Sequence, residues 1–398
     1  MRIDILFPTL PPSLDGIGDH TSRIAREMTS RADVRVLTAA SEVTPIPDVR
    51  VCRNAFATQP IWRTSEFIET VLSDPPDWLL VQFNQFSYGR WGLNPFLPWA
   101  LHRLKRTDPS IGIAWMAHED FVPAISWKFA IMSVWQRAQF RALGRVADRI
   151  YFSIAPWVDR YNDWFEDTPV CHFPIGSNIP LVNERSTDLK QFLELSDDRF
   201  VIGFFGTLRG RLIDHIDAAV QAIRRRAQSR GEQDPVLLYV GPNGTELKQM
   251  LPAHCIVDAG RLPAEDVSRH LQIMDLHLTP FPDGISSRRG SFMAGLQHAV
   301  PTLGTRGHLT DQALIEADGT AFCLAPADDP ASFGARASEL YEDTRRRKTI
   351  GQAGRRLYNE TYDFRITVPR FMDSLERAIP TNPNDATTPS PLIESSLP

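Results

Sequence analysis

The chain has 398 residues, a net charge of −5, 42% hydrophobic and 23% charged residues, the proportions of a weakly acidic globular protein with room for two large domains. A dedicated nucleic-acid binder would carry a strong basic excess, which is missing here. Cys52, Cys171, Cys255 and Cys323 lie far apart, with no CxxC and no histidine cluster at ligand spacing, which argues against a disulfide framework or a structural zinc.

Residues 1–7 are too short and too charged for a signal-peptide core, and no apolar run reaches the length of a membrane span. A cytoplasmic protein is the expectation. Residues 3–7 read as a strand, 8–18 as a Pro- and Gly-rich turn, about 20–30 as a helix, and 34–38 as a second strand. That order opens a parallel α/β sheet. Residues 78–82, 111–116 and 149–154 are apolar at nearly every position, as strands covered on both faces must be. The pattern then breaks into Pro, Gly, Asn and Ser, and a second α/β series starts afresh. Strands are predicted at 200–205, 236–240, 256–259, 276–279 and 302–304, with helices at 214–228, 246–250, 264–274 and 291–298. A last helix spans 365–379. Two successive open sheets predict two Rossmann-like domains rather than one barrel. The Pro-, Thr-, Ser- and Asn-rich residues 381–398 read as a disordered tail.

Ligands of open α/β sheets sit beyond the carboxyl ends of the strands, so the loops there are the candidate sites. The first loop carries Gly16 and Gly18, which permit close backbone approach beside helix amides. A tight turn alone would also explain them. The second, with Gly206, Thr207, Arg209 and Arg211, offers guanidinium forks suited to a diphosphate. The third, with Asp283, Gly284, Ser286, Ser287, Arg288 and Arg289, combines hydroxyls, positive charge and a helix start. It is the strongest anion-binding candidate. A fourth loop places His118 beside Glu119 and Asp120, where a histidine suits a positioned donor or acid/base role.

The stretch GRLPAEDVSRHLQIMDLHLTPF from Gly260 resembles the donor-domain segment of glycosyltransferase family 4, and FMAGLQHAVPTLGT from Phe292 resembles the helix and strand that follow it there. The loops at 16–18, 118, 174–178 and 206–211 fall in the order that family would place them. The resemblance implies an α/β fold of GT-B architecture, with two Rossmann-like domains facing across a cleft. Residues 1–175 would form the acceptor domain, 176–197 a linker, 198–360 the nucleotide-sugar domain, and 361–380 a helix crossing back to the first domain. By position, Gly18 would approach the donor phosphates, Arg211 with Arg209 would hold the diphosphate, Arg261 and Leu262 would flank the base, and His118 would stand near the transferred sugar. One departure matters. The family commonly carries two glutamates eight residues apart in the third loop and its helix, and alignment on Pro301 puts Ser286 and Ala294 there. The resemblance therefore leaves the donor sugar unspecified and weakens the usual retention of anomeric configuration.

The implied reaction moves a sugar from a nucleotide diphosphate donor to a saccharide, lipid-linked or other small acceptor. Arginines would stabilise the leaving diphosphate without a metal ion, and no cofactor beyond the donor itself is expected. Two other readings stay open: a non-catalytic sugar-nucleotide-binding protein, which the missing glutamates allow, and a nucleotide-sugar epimerase using Glu119 and Asp120. A dehydrogenase fits poorly, because Thr21 occupies the third small position of the GxGxxG fingerprint. Residues 127–149 mix Trp127, Phe129, Trp135 and Phe140 with Lys128, Arg137, Arg141, Arg145 and Arg149. A helix packed on a sheet, the preferred reading, and a helix lying peripherally on an anionic membrane both show this pattern.

Overall fold

The computed structural model describes residues 1–56, 64–182, 187–208, 212–251 and 255–378. The first domain contains β1 (Arg2–Leu6), β2 (Asp33–Leu37), β3 (Arg50–Cys52), β4 (Trp78–Phe83), β5 (Gly112–Ala117), β6 (Arg149–Phe152) and β7 (Val170–His172). They form one parallel sheet in the order β3-β2-β1-β4-β5-β6-β7. The second contains β8 (Val201–Phe205), β9 (Val236–Val240), β10 (Ile256–Asp258), β11 (Leu276–Thr279), β12 (Thr302–Arg306) and β13 (Cys323–Pro326), ordered β10-β9-β8-β11-β12-β13 and again parallel. Central strands such as β4 and β9 are buried at every residue, because crossover helices cover both faces. The three strands that the apolar pattern misses, β3, β7 and β13, are sheet-edge strands of three or four residues.

This strand order decides which loops meet. In each sheet the order reverses direction once, between β1 and β4 in the first and between β8 and β11 in the second. Crevices open at such switch points, and the loops leaving those strands line them. The Gly16, Gly206 and Ser286–Arg289 loops leave β1, β8 and β11, while His118 follows β5, beside β4.

The chain also ties the domains together at its end. The helix Phe364–Glu376 packs on the helix Gly16–Met28 of the first domain. Arg31 donates to Glu376 (2.9 and 3.0 Å) and pairs with Asp373 (2.7 Å), and Tyr151 and Ser374 share a 2.6 Å hydrogen bond. Phe371 stands edge-on to Tyr151 and Phe173 at 4.7 and 5.3 Å. The predicted tail from 381 onward lies outside the described residues.

Candidate functional site

The first helix begins earlier than its apolar periodicity suggests, at Gly16 rather than about residue 20. Asp15 caps it: its Oδ1 accepts from the amides of Ile17 (2.8 Å) and Gly18 (3.0 Å). Gly16 and Gly18 therefore belong to the first helical turn, and two of its amides are already used by a carboxylate. A side chain at Gly18 would bring Cβ to 2.7 Å from the Thr9 carbonyl oxygen, so close packing against the Thr9–Leu10 backbone accounts for this glycine. Gly16 has open space around it, and its carbonyl accepts from Asn178 Nδ2 (3.1 Å).

In the second domain Gly206 lies at φ +131°, and Tyr239 donates to its carbonyl (2.9 Å). It faces Ser291 at the start of the helix Gly290–Gln297, with Thr207 exposed beside it. Arg209 and Arg211 lie outside the described residues. Gly260 sits at φ +68°, and its carbonyl accepts from Gly241 (2.9 Å), which draws the β9 and β10 loops together; Arg261 is exposed and Leu262 half-buried beside them.

The third loop is the most ordered by charge. Arg288 donates to Asp283 Oδ2 (2.8 Å), and Arg289 to both Asp283 oxygens (2.6 Å each). Burial pushes the Asp283 carboxyl up, but Arg289 and Arg288 outweigh it and hold the group below the ordinary carboxylate range. This trio carries one net positive charge, held rigidly at the start of a helix. Gly284, at φ +88°, allows the loop to lie against Gly307 and Thr310. Ser286 is fully buried, and its Oγ has no hydrogen-bond partner among the described residues.

Arg288 reaches across the domain boundary. Its guanidinium lies 4.7 Å over the Trp157 ring and 3.9 Å from Glu119 Oε1. Next to Glu119 stands His118, 7% exposed, with its Nε2 2.5 Å from Gln82 Oε1. An amide oxygen only accepts, so Nε2 carries a proton in this contact. Burial, reinforced by Arg288, pushes the His118 pKa down to about 3. His118 is thus a fixed neutral hydrogen-bonding group at neutral pH, with no proton to spare as an acid. His20 meets it edge-on at 5.1 Å. Asp120 accepts from Tyr161 (2.8 Å) and pairs with Arg160 (3.3 Å), and burial raises its pKa.

Two residues that the sequence reading passes over complete this junction. Asp311 precedes a short helix and reads as its cap, yet the carboxylate turns to the other domain. It accepts from the amides of Ala155 (2.8 Å) and Ser287 (2.7 Å) and from Ser287 Oγ (3.0 Å). The Ser287 hydroxyl also has the Ser153 carbonyl within 2.9 Å and His172 Nε2 at 2.9 Å, and Ile175 donates to the Ser287 carbonyl (2.8 Å). Gln82 is the other; a glutamine one residue from the end of a strand gives no sequence signal of its role beside His118.

No protein-family model matches the chain, and no curated protein matches it by sequence. Solved structures do match over almost the whole length. Sucrose-phosphate synthase from Thermosynechococcus elongatus superposes with a TM-score of 0.72 at 14% identity, covering 94% of this chain and 98% of that one. Anabaena HepE, solved in complex with UDP and glucose, gives 0.69 at 15% identity, covering 95% and 100%. A protein from Listeria monocytogenes assigned as a UDP-N-acetylglucosamine 2-epimerase gives 0.60 at 15% identity, covering 94% and 95%. The likeness is one of fold: the chain has the two Rossmann-like domains of the GT-B architecture.

Proposed function

We propose that the chain is a glycosyltransferase that takes a sugar from a nucleotide diphosphate donor held between its domains. The observation that carries this reading is the approach of Arg288 to His118 and Glu119, which joins the switch-point loop of one sheet to the carboxyl end of the other. The reaction breaks the bond between the anomeric carbon and the β-phosphate oxygen and forms one to an acceptor hydroxyl. The acceptor's proton is lost and the nucleoside diphosphate departs. Charge grows on the diphosphate, so the preorganised Arg288 and Arg289, the amides of Gly290 and Ser291, and Arg209 and Arg211 by their sequence position are its stabilisers. Neutral His118 orients the sugar through a hydrogen bond. The Asp311–Ser287 junction holds the domains closed and water out. HepE, of the same fold, is solved with UDP and with UDP-glucose, which favours a uridine donor. Transfer of a hexosyl group, retention, a saccharide or lipid-linked acceptor, and a cytoplasmic setting belong to the same proposal.

Calorimetric titration with UDP, GDP, ADP and dTDP tests it. One nucleotide should bind at micromolar strength, and Arg288→Ala and Arg211→Ala should each weaken it roughly tenfold or more, the loss of a charge-assisted hydrogen bond. Binding unchanged by both substitutions refutes the placement of the diphosphate. The epimerase reading rests on Glu119 and Asp120 at the cleft end of β5; it predicts an isomerised sugar when a UDP-sugar is incubated with the protein and no acceptor.

A further inference from the structure

Among the described residues, nine of the twelve large apolar side chains that are exposed fall between Phe86 and Val134. Isolated exposed apolar residues are ordinary, but a concentrated patch is not. The nine belong to two segments, one leaving β4 and the other leaving β5, so they flank the cleft rim formed by Asn84 and Glu119. Asn84 Nδ2 donates to Glu119 Oε2 (2.9 Å) and ties the two segments at that rim.

The helix Trp127–Val146 is inverted over its first half. Ser133 and Gln136 are buried, while Trp127, Ile131 and Val134, spaced four and three residues apart on one stripe, are 71%, 50% and 71% exposed. Its second half packs normally, through Phe140 and Leu143. The sheet-packing reading of this segment therefore holds only for that second half. Trp91 lies beside the exposed stripe at φ 58°, a left-handed conformation disfavoured for a bulky residue, with 62% of its surface in water. Trp135 Nε1 and Gln136 Nε2 both donate to its carbonyl (3.2 Å each), locking the turn onto the helix. The folded domain leaves most of the Trp91 and Trp127 indoles unburied.

Charge identifies the occupant. Residues 85–107 and 121–147 contain eight Lys and Arg and no Asp or Glu, within a chain of net charge −5, and among the described residues only Lys105 of the eight is paired with a carboxylate, that of Asp148. Each exposed tryptophan has its own cation: Arg90 over Trp91 (5.3 Å), Arg103 over Trp99 (5.5 Å) and Lys128 over Trp127 (5.6 Å). A second copy seated symmetrically on this face would oppose like charges. Indoles at headgroup depth, aliphatic side chains beneath them and cations facing phosphates suit an anionic bilayer.

We infer that this face docks the chain on a lipid bilayer carrying anionic headgroups, with the His118–Glu119 rim of the cleft beside the membrane. Docking stands on the surface alone; that it delivers a lipid-borne acceptor rests on the proposed transferase function.

Flotation of the full chain with phosphatidylcholine vesicles, with and without phosphatidylglycerol, tests docking. The chain should float only with the anionic vesicles, with a blue shift of tryptophan emission. Trp127→Ser with Ile131→Ser should lower partitioning by on the order of tenfold or more. Lys128→Glu should lower it by at least about fivefold, the share of one basic residue near the surface. All three positions are exposed, so unchanged melting temperatures will show that the fold is intact. The inference is overturned if the chain stays unbound with anionic vesicles, if the variants float like the parent, or if the patch instead drives self-association without lipid. Nucleotide titration without vesicles reads the transferase proposal independently.

Discussion

Replacing Asp311 should loosen the junction between the domains more than any other single change in the cleft. Its carboxylate is 2% exposed and accepts three hydrogen bonds, two from backbone amides and one from the Ser287 hydroxyl. Asp311→Ala strands the amides of Ala155 and Ser287 and removes the charge that favoured both. Each stranded donor costs about 1–3 kcal/mol, so roughly 2–6 kcal/mol in all is expected. Asp311→Asn keeps one accepting oxygen but turns an NH2 toward a donor, and should lose about half as much. At about 2–4 °C per kcal/mol for a domain of this size, the alanine variant should melt at least about 4 °C lower. The Ala155 amide crosses the domain boundary, whereas the Ser287 amide is held within its own domain. The loss should therefore appear both as faster amide exchange around Ala155 and as a larger radius of gyration in solution scattering. An alanine variant that melts within about 1 °C of the parent, with unchanged exchange at Ala155, would refute the view that this carboxylate carries the junction.

Two further outcomes follow from the histidines. His118→Ala should lower turnover by on the order of 100-fold, with nucleotide affinity changed little, because the neutral ring faces the sugar rather than the diphosphate; steady-state kinetics beside calorimetry separates the two effects, and undiminished turnover excludes the role. The chain should also be acid-labile. Burial pushes the pKa values of His118 and His277 from 6.5 to about 3, and that of buried His20 well below its ordinary value. Below pH 6.5 the unfolded chain binds protons that these rings refuse, so their contribution to stability, complete above that pH, is lost as pH falls toward about 3. His118 and His277 together remove roughly 3 kcal/mol per pH unit across most of that window, and His20 acts in the same direction. Chemical denaturation at pH 7 and pH 5.5 measures the drop, and a flat profile contradicts neutral burial.

The architecture was legible in the chain because parallel strands covered on both faces need unbroken apolar runs, as at β4, β5 and β9. The edge strands β3, β7 and β13 were not, since a strand of three or four residues carries too little pattern to stand out. The Asp15 cap was present in the sequence as an Asp ahead of a helix, yet the two glycines after it drew attention to a loop. Candidate loops were legible one at a time, by their glycines, hydroxyls and arginines, but their adjacency was not: it depends on where each sheet reverses its strand order, a property of the assembled sheet. The same limit applies to charge. Arg288 and Arg289 read as free phosphate ligands, and only the tertiary structure sets Asp283 between them and brings Glu119 and Trp157 from the other domain against Arg288. Residues 127–149 showed the widest gap. Their composition suits a helix buried on a sheet or one lying on a membrane, and only the packing shows the second half buried and the first presenting its tryptophan to water. Local sequence sets what each segment can form; burial and partners across hundreds of residues are decided when the segments meet.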